Sequence, residues 1–237
     1  MIRLISFEGG DGSGKSTQLR LLERYLAGRG RGCLGTREPG GTALGEMIRQ
    51  VLLTEDVRGE AKGDPSPLTP YAICPPTELF LYLADRAQHV HEVIRPALAS
   101  GTLVLCDRFT DSTLAYQGYG RGVDLGMLRR VNEVASGGIT PDITFLLDCP
   151  VELGLSRAEE RSSIIHSQSS AREDRASRME DRFEREEVAF HERVRKGFLE
   201  LARTEPGRIH VLDASRAVRD LHEEIRKIID EKLANGE

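Results

Sequence analysis

Ile2-Arg3-Leu4-Ile5-Ser6-Phe7-Glu8-Gly9-Gly10-Asp11-Gly12-Ser13-Gly14-Lys15-Ser16 is the stretch that decides the fold. Its first half is an apolar run. Its second half fits the phosphate-binding pattern G-x-x-x-x-G-K-[ST]. Helical spacing follows in Leu19, Leu22, Tyr25 and Leu26 and stops at Gly28. Strand, glycine loop and helix, in that order, are the context the pattern requires. The glycines let the backbone curl so that successive N–H groups point at an anion. The helix N-terminus adds its partial positive charge. Lys15 is placed to reach the terminal phosphates and the Ser16 hydroxyl to face Mg²⁺. Gly9, Gly10, Asp11, Gly12, Ser13, Gly14, Lys15, Ser16 and Thr17 therefore form a candidate triphosphate site.

Outward from this loop, short apolar runs alternate with longer helical patterns. The candidate strands are Ile2–Phe7, Cys33–Thr36, Leu103–Cys106, Ile143–Leu147 and Ile209–Leu212. Several are apolar almost throughout, as expected of a parallel sheet buried on both faces. Candidate helices are Lys15–Ala27, Leu44–Leu53, Glu78–Ala99, Leu125–Ser136, Val151–Arg161, Glu184–Ala202 and Ala217–Leu233. The alternation predicts an α/β fold with right-handed crossovers and ligands beyond the strand C-termini. No repeat or sharp boundary divides the 237 residues, so one domain is expected. Two stretches break the rhythm. Residues 58–76 hold Pro65, Pro67, Pro70, Pro75 and Pro76 and read as a non-helical surface excursion. Ser162–Ser170 is serine-rich and reads as a mobile loop.

Composition narrows the function classes. A net charge of −5 gives no support for nucleic-acid binding. No run is long enough to span a bilayer. The phosphate loop begins at Gly9, which leaves no room for a signal peptide, so a cytoplasmic location is expected. Cys33, Cys74, Cys106 and Cys149 are widely separated and read as buried free thiols. The six histidines are scattered and read as structural or exposed.

Further chemistry is suggested at the strand ends. Asp107 closes a strand beside the loop, where an enzyme with this loop orders its Mg²⁺; a helix or turn cap is the plainer alternative. Arg108 next to it can grip a second phosphate bidentately. Thr36-Arg37-Glu38-Pro39-Gly40-Gly41-Thr42 is a turn that can also wall a pocket. Tyr82 and Arg86 share a helix face, able to stack on a base and pair with a phosphate; for Arg86 a surface ion pair is as good a reading. Ser112–Gly122 combines Tyr116 and Gln117 with glycine-rich turns, and reads either as a base-reading segment or as an ordinary polar loop. Arg157–Glu187 carries seven arginines and nine acids, mostly a solvated face. One or two of these arginines could close over the transferring phosphoryl; the phosphate loop holds no arginine, so if an arginine acts it must come from elsewhere in the chain.

Taken together, these motifs resemble bacterial thymidylate kinase. Phe7-Glu8-Gly9, Asp11, Gly14-Lys15-Ser16-Thr17, Thr36–Thr42, Tyr82–Arg86, Asp107-Arg108-Phe109 and Ala115–Gly122 occur in that family's order. The similarity continues through Pro141–Asp148, Asp181–Glu184 and Leu212–Ala214. It implies a P-loop NTPase fold, nucleoside monophosphate kinase-like, with a five-stranded parallel sheet flanked by helices and a lid. It further implies phosphorylation of dTMP to dTDP with ATP and Mg²⁺, for dTTP synthesis, by a homodimer. Arg49, Arg86 and Arg108 would hold the dTMP phosphate. Tyr82 would stack on thymine, Gln117 would hydrogen-bond it, and Thr113 and Tyr116 would complete the nucleoside pocket. Asp11 and Glu38 would border the sugar and acceptor phosphate. Lys15, Asp107, Asp11, Arg157 and Arg161 would act in transfer, with Ser16 and Asp107 on the metal. Arg157 and Arg161 match the lid arginines of the subclass whose phosphate loop lacks one, Arg157 near adenine and Arg161 closer to the phosphates.

The chain departs from the family pattern in its longer 58–76 stretch and in extra residues near 162–171, within a lid spanning 157–187. The second departure also makes Arg172 and Arg175 candidates. A deoxynucleoside kinase or a non-catalytic nucleotide-binding regulator would share the loop. The arginine cluster argues against the first, and intact Lys15, Ser16 and Asp107 against the second. A nucleotide-switch GTPase would need an N-K-x-D motif, which the sequence lacks.

Overall fold

The computed structural model describes residues 2–53, 73–168 and 186–234. Five strands form one parallel sheet: β1 (Leu4–Glu8), β2 (Cys33–Arg37), β3 (Leu103–Asp107), β4 (Ile143–Asp148) and β5 (Ile209–Asp213). Their spatial order is β2-β3-β1-β4-β5. Every pairing is parallel, with Phe7 opposite Asp107 on one side of β1 and opposite Phe145 on the other. The strand order reverses at β1, which sets a crevice at its C-terminal end, where ligands bind in open α/β sheets.

The sequence explains both faces. β1 alternates, with Ile5 and Phe7 on one side and Leu4, Ser6 and Glu8 on the other. Ile5 and Phe7 pack with Leu19, Leu22 and Leu26 of α1 (Lys15–Gly28) and with Leu221, Ile225 and Ile229 of α9 (Val218–Ala234). Removing each such side chain from water stabilises the fold by about 1.5–3 kcal/mol. A second cluster joins Leu52 of α2 (Ala43–Leu53), Leu79 of α3 (Pro75–His89), Leu128 of α6 (Leu125–Ser136), and Phe190 and Phe198 of α8 (Val188–Thr204). Ser6 stays polar within its buried face because it hydrogen-bonds Thr144 at 2.7 Å.

Several expectations shift. The predicted helix Glu78–Ala99 starts earlier and is interrupted. Pro75 and Pro76 form its first turn, where a missing N–H costs nothing. A π-helical turn over Val90–Ile94 then leads into α4 (Arg95–Ala99). Pro96 accounts for that turn, since it cannot donate and its ring crowds the carbonyl a turn earlier. The excursion read over 58–76 therefore ends before Pro75; residues 58–72 lie outside the described set. The loop read at Ser162–Ser170 is helical as far as Gln168, because α7 spans Val151–Gln168. Serine costs only a few tenths of a kcal/mol per position once a helix is under way. Ser169 and Ser170, like the lid candidates Arg172 and Arg175, lie outside the described residues.

Ser112–Gly120 is helix rather than turns, and the turn comes only at Arg121-Gly122, where Gly122 takes φ 78°. α5 (Thr110–Thr113) runs into a π-helical segment over Leu114–Gly120. Its glycines serve packing: a Cβ at Gly118 would lie 2.5 Å from Leu125, and one at Gly120 2.7 Å from Phe190. All four cysteines are free; Cys106 and Cys149 are buried, Cys33 is half-buried and Cys74, against expectation, is exposed. Cys74 sits at the mouth of α3, away from the sheet that covers the others. Among the described residues no helix is long and apolar enough to cross a membrane.

Candidate active site

The loop after β1 curls as its glycines allow. Gly9, Gly12 and Gly14 take φ values of 137°, 68° and 92°. Gly12 is needed for a second reason: a Cβ there would lie 1.9 Å from the carbonyl oxygen of Gly154. The loop thus rests on the first turn of α7, the helix that carries Arg157 and Arg161. Lys15 Nζ donates to the carbonyls of Gly9 at 3.1 Å and Gly10 at 2.7 Å, and to Ser13 Oγ at 3.4 Å. Burial first, and Arg108 second, push the Lys15 ammonium down to about 8. It still carries its charge at neutral pH.

One cavity of about 260 Å³ opens at the C-terminal ends of β1, β2 and β3. Asp11, Gly12, Gly14, Lys15, Ser16 and Thr17 line its loop side. Glu38, Arg49, Tyr82, Arg86, Asp107, Arg108, Thr113, Tyr116, Gln117 and Arg161 line the rest. Gly9, Gly10, Ser13 and Arg157 do not line it. Arg20, which the sequence reading missed, and Arg37, within the Thr36–Thr42 turn read as a pocket wall, line it too. With them the cavity has seven basic residues against three acidic ones, the balance expected for polyanions.

Arg108 binds the two halves together. It has φ 68°, the one left-handed residue other than glycine among those described. Its Nη2 donates to Asp11 Oδ1 at 2.7 Å and its Nη1 to Gly9 O at 3.1 Å. Its guanidinium lies over the Tyr116 ring at 5.0 Å. Tyr116 in turn donates to Asp11 Oδ2 at 3.2 Å. Burial works to raise the Asp11 carboxyl, but Arg108 and Lys15 outweigh it and hold the group below its ordinary value. Glu8, quoted in the loop motif but given no role there, supports the turn from below: Phe109 N donates to Oε1 at 2.7 Å and Ser112 Oγ to Oε2 at 2.6 Å. Burial, then Asp111, push the Glu8 carboxyl up to about 8.

Arg86 is no surface residue. It is 2% exposed and donates from Nε to Glu38 Oε2 at 2.9 Å. Its Nη1 donates to Thr113 and Asn132, and its Nη2 to Phe109 O. Four of its five N–H groups are thus committed to protein. Such a group can offer a ligand one hydrogen bond but not a two-pronged fork. Glu38 also meets His89 Nδ1 at 3.0 Å, while His89 Nε2 meets Thr36 Oγ1 at 2.6 Å. His89 and Asn132 were not singled out in the sequence. For His89 the signal was spacing, since it falls at i+3 from Arg86 on α3.

Arg49 donates to Pro39 O at 3.1 Å. Arg157 is turned away from the cavity, donating to Ala214 O at 2.8 Å beyond β5. Arg161, one helical turn further, lines the cavity. Ser16 Oγ hydrogen-bonds Asp107 Oδ2, which brings two oxygen donors together at the mouth of the loop. Oxygen donors suit Mg²⁺, which takes one or two protein ligands and fills its shell with water and phosphate. Among the described residues no group of three or more His, Cys, Asp or Glu side chains could hold a metal alone.

A phosphate loop and an oxygen pair for a hard cation, facing a basic wall across one cavity at the strand C-termini, are the features of a P-loop nucleoside monophosphate kinase. The thymidylate kinase family model matches residues 7–225. A thymidylate kinase of Geotalea uraniireducens (strain Rf4) is 45% identical over 98% of each chain. One of Desulfovibrio desulfuricans (strain ATCC 27774 / DSM 6949 / MB) is 49% identical over 97% of this chain and 95% of its own. The crystal structure of thymidylate kinase from Ehrlichia chaffeensis superposes with a TM-score of 0.67 at 32% identity, covering 96% of this chain and 98% of the other. The chain belongs to the thymidylate kinase family, and so to the ATP-dependent nucleoside monophosphate kinases.

Proposed function

We propose that this cavity transfers the γ-phosphoryl group of ATP to dTMP, giving dTDP for dTTP synthesis in the cytoplasm. The observation that carries the reading is the Arg108–Asp11 contact, which joins the triphosphate loop to the basic wall across the cavity. Gly9–Thr17 cradle the triphosphate, and Ser16 and Asp107 hold Mg²⁺, which supplies charge neutralisation between the phosphates. Arg49 and Arg108 grip the dTMP phosphate. Tyr82 stacks on thymine, Gln117 hydrogen-bonds its edge, and Thr113 and Tyr116 complete the nucleoside pocket. Asp11 and Glu38 border the sugar and acceptor phosphate. Arg86, with one N–H left, contributes a single hydrogen bond and holds Glu38 and Thr113 in place.

The chemistry is alignment plus electrostatics. Two anions must approach in line, and Lys15, Arg108 and Arg161 offset their repulsion in a site where closure excludes water. Arg161 is favoured over Arg157 for the transferring group, since it lines the cavity while Arg157 is turned away from it toward Ala214 beyond β5. No covalent intermediate is required. The working unit is a homodimer through α2, α3 and α6, where exposed apolar side chains gather.

An ADP-release assay with dTMP, dUMP, dGMP and thymidine tests the assignment. Turnover is expected with dTMP above all others; phosphorylation of thymidine alone would overturn it.

A further inference from the structure

Behind the cavity wall, a carboxylate touches the amide that faces the base. Gln117 is 2% exposed and lines the cavity beside Tyr82 and Thr113. Its Nε2 donates to Glu78 Oε1 at 3.0 Å. Glu78 is 1% exposed, lies in the first turn of α3, and forms an ion pair with Arg121, Nη2 to Oε2 at 3.3 Å. Arg121 is itself held by Glu186 at 2.6 Å. Buried groups of this kind are kept for the hydrogen bonds they fix.

We propose that Glu78 determines which pyrimidine the site accepts, by fixing which way round the Gln117 amide faces. The proposal rests on Gln117 as the base-reading group. A carboxylate accepts and does not donate, so the amide must turn its NH₂ to Glu78. The carbonyl Oε1 is then what the amide offers the cavity. It has no hydrogen-bond partner among the described residues and is not among the fully enclosed polar atoms. Thymine and uracil present a donor N–H at N3, which this oxygen accepts. Cytosine presents a lone pair at N3, which the same oxygen repels. Glu78 thus selects 4-oxo over 4-amino pyrimidines without touching the base. It is a positioning residue.

Glu78→Gln keeps the shape and removes the one-way preference, since the new amide can donate to a flipped Gln117. ADP-release kinetics with dTMP, dUMP and dCMP read the effect. The dTMP:dCMP ratio of kcat/KM should fall by roughly 10- to 100-fold, the worth of one reversed hydrogen bond, and chiefly through KM. The dTMP:dUMP ratio should stay within about 3-fold, because those bases share the edge being read. Glu78→Asp, still an acceptor, should keep the dTMP:dCMP ratio. The double variant Glu78→Gln/Gln117→Glu returns an acceptor to the cavity and should recover the preference, which decides the matter if Glu78→Gln does not fold. An unchanged dTMP:dCMP ratio in Glu78→Gln, both ratios falling together, or a double variant without preference for dTMP each overturns the proposal. Failure of the unaltered enzyme to phosphorylate dTMP would instead sink the functional reading beneath it.

Discussion

Asp85 shows how much a single buried group can set. One oxygen accepts from Gly40 N at 2.8 Å, while Oδ2 is enclosed and without a partner. Burial first, and Glu38 second, push its carboxyl up from 3.8 to about 7. The native state therefore keeps a proton that the unfolded chain releases near pH 4. Stability from this group is full below that value and is lost as pH rises toward 7. Asp85→Asn keeps the acceptor for Gly40 and cannot ionise. Its melting temperature should come nearest that of the unaltered enzyme below about pH 4 and exceed it by several degrees at pH 8. Parallel melting curves across that range would show that Asp85 stays ionised. Arg161 allows a kinetic test at the same scale. Arg161→Ala should lower kcat by about 10²-fold or more while KM for dTMP moves only a few-fold, the pattern of a contact made in the transition state. Unchanged turnover would rule that arginine out.

Among the elements, α3 and the Leu114–Gly120 segment carry most of the nucleoside pocket, and they differ in how legible they were. Tyr82 and Arg86 stood out because ring and guanidinium lie four apart. Glu78, Asp85 and His89 share their stripe but look like ordinary helix-surface polar residues, and only burial against Gln117, Gly40 and Glu38 gives them roles. The strands were legible almost to the residue, since nearly unbroken apolar runs leave few alternatives. The Leu114–Gly120 helix was not, because Gly118 and Gly120 suggest turns locally; their purpose is a close approach that exists only in the folded chain. α8 makes the reciprocal approach through Gly197, where a Cβ would lie 2.6 Å from the Tyr119 ring. Gly197→Ala gains up to about 1 kcal/mol of helix propensity but must push that ring aside, typically costing about 1–3 kcal/mol. A net loss of melting temperature is expected, with KM for dTMP raised more than KM for ATP, since Tyr116 and Gln117 ride on the displaced segment. A stabilised variant with both KM values unchanged would mean that Tyr119 swings away freely.

For the whole molecule, the exposed apolar residues decide how it exists in solution. Leu44, Met47 and Val51 recur at helical spacing along the outer side of α2, with Met47 56% exposed. Phe80 on the neighbouring α3 is 64% exposed and Val134 on α6 is 83% exposed. Single exposed apolar residues are ordinary, but an apolar stripe with large neighbours on adjoining helices marks an interface. The proposed homodimer would close such a face symmetrically, since a two-fold contact uses the same patch twice. The arrangement also bears on catalysis: Phe80 sits on the helix that holds Tyr82 and Arg86, so a partner packed there would brace the nucleoside pocket from outside. Light scattering should give a mass twice the 26.3 kDa of one chain at micromolar concentration. Phe80→Glu places a charge in the patch and should return the single-chain mass, with secondary structure retained and KM for dTMP raised. A single-chain mass for the unaltered protein at all concentrations would show that this face is covered by something other than its own copy.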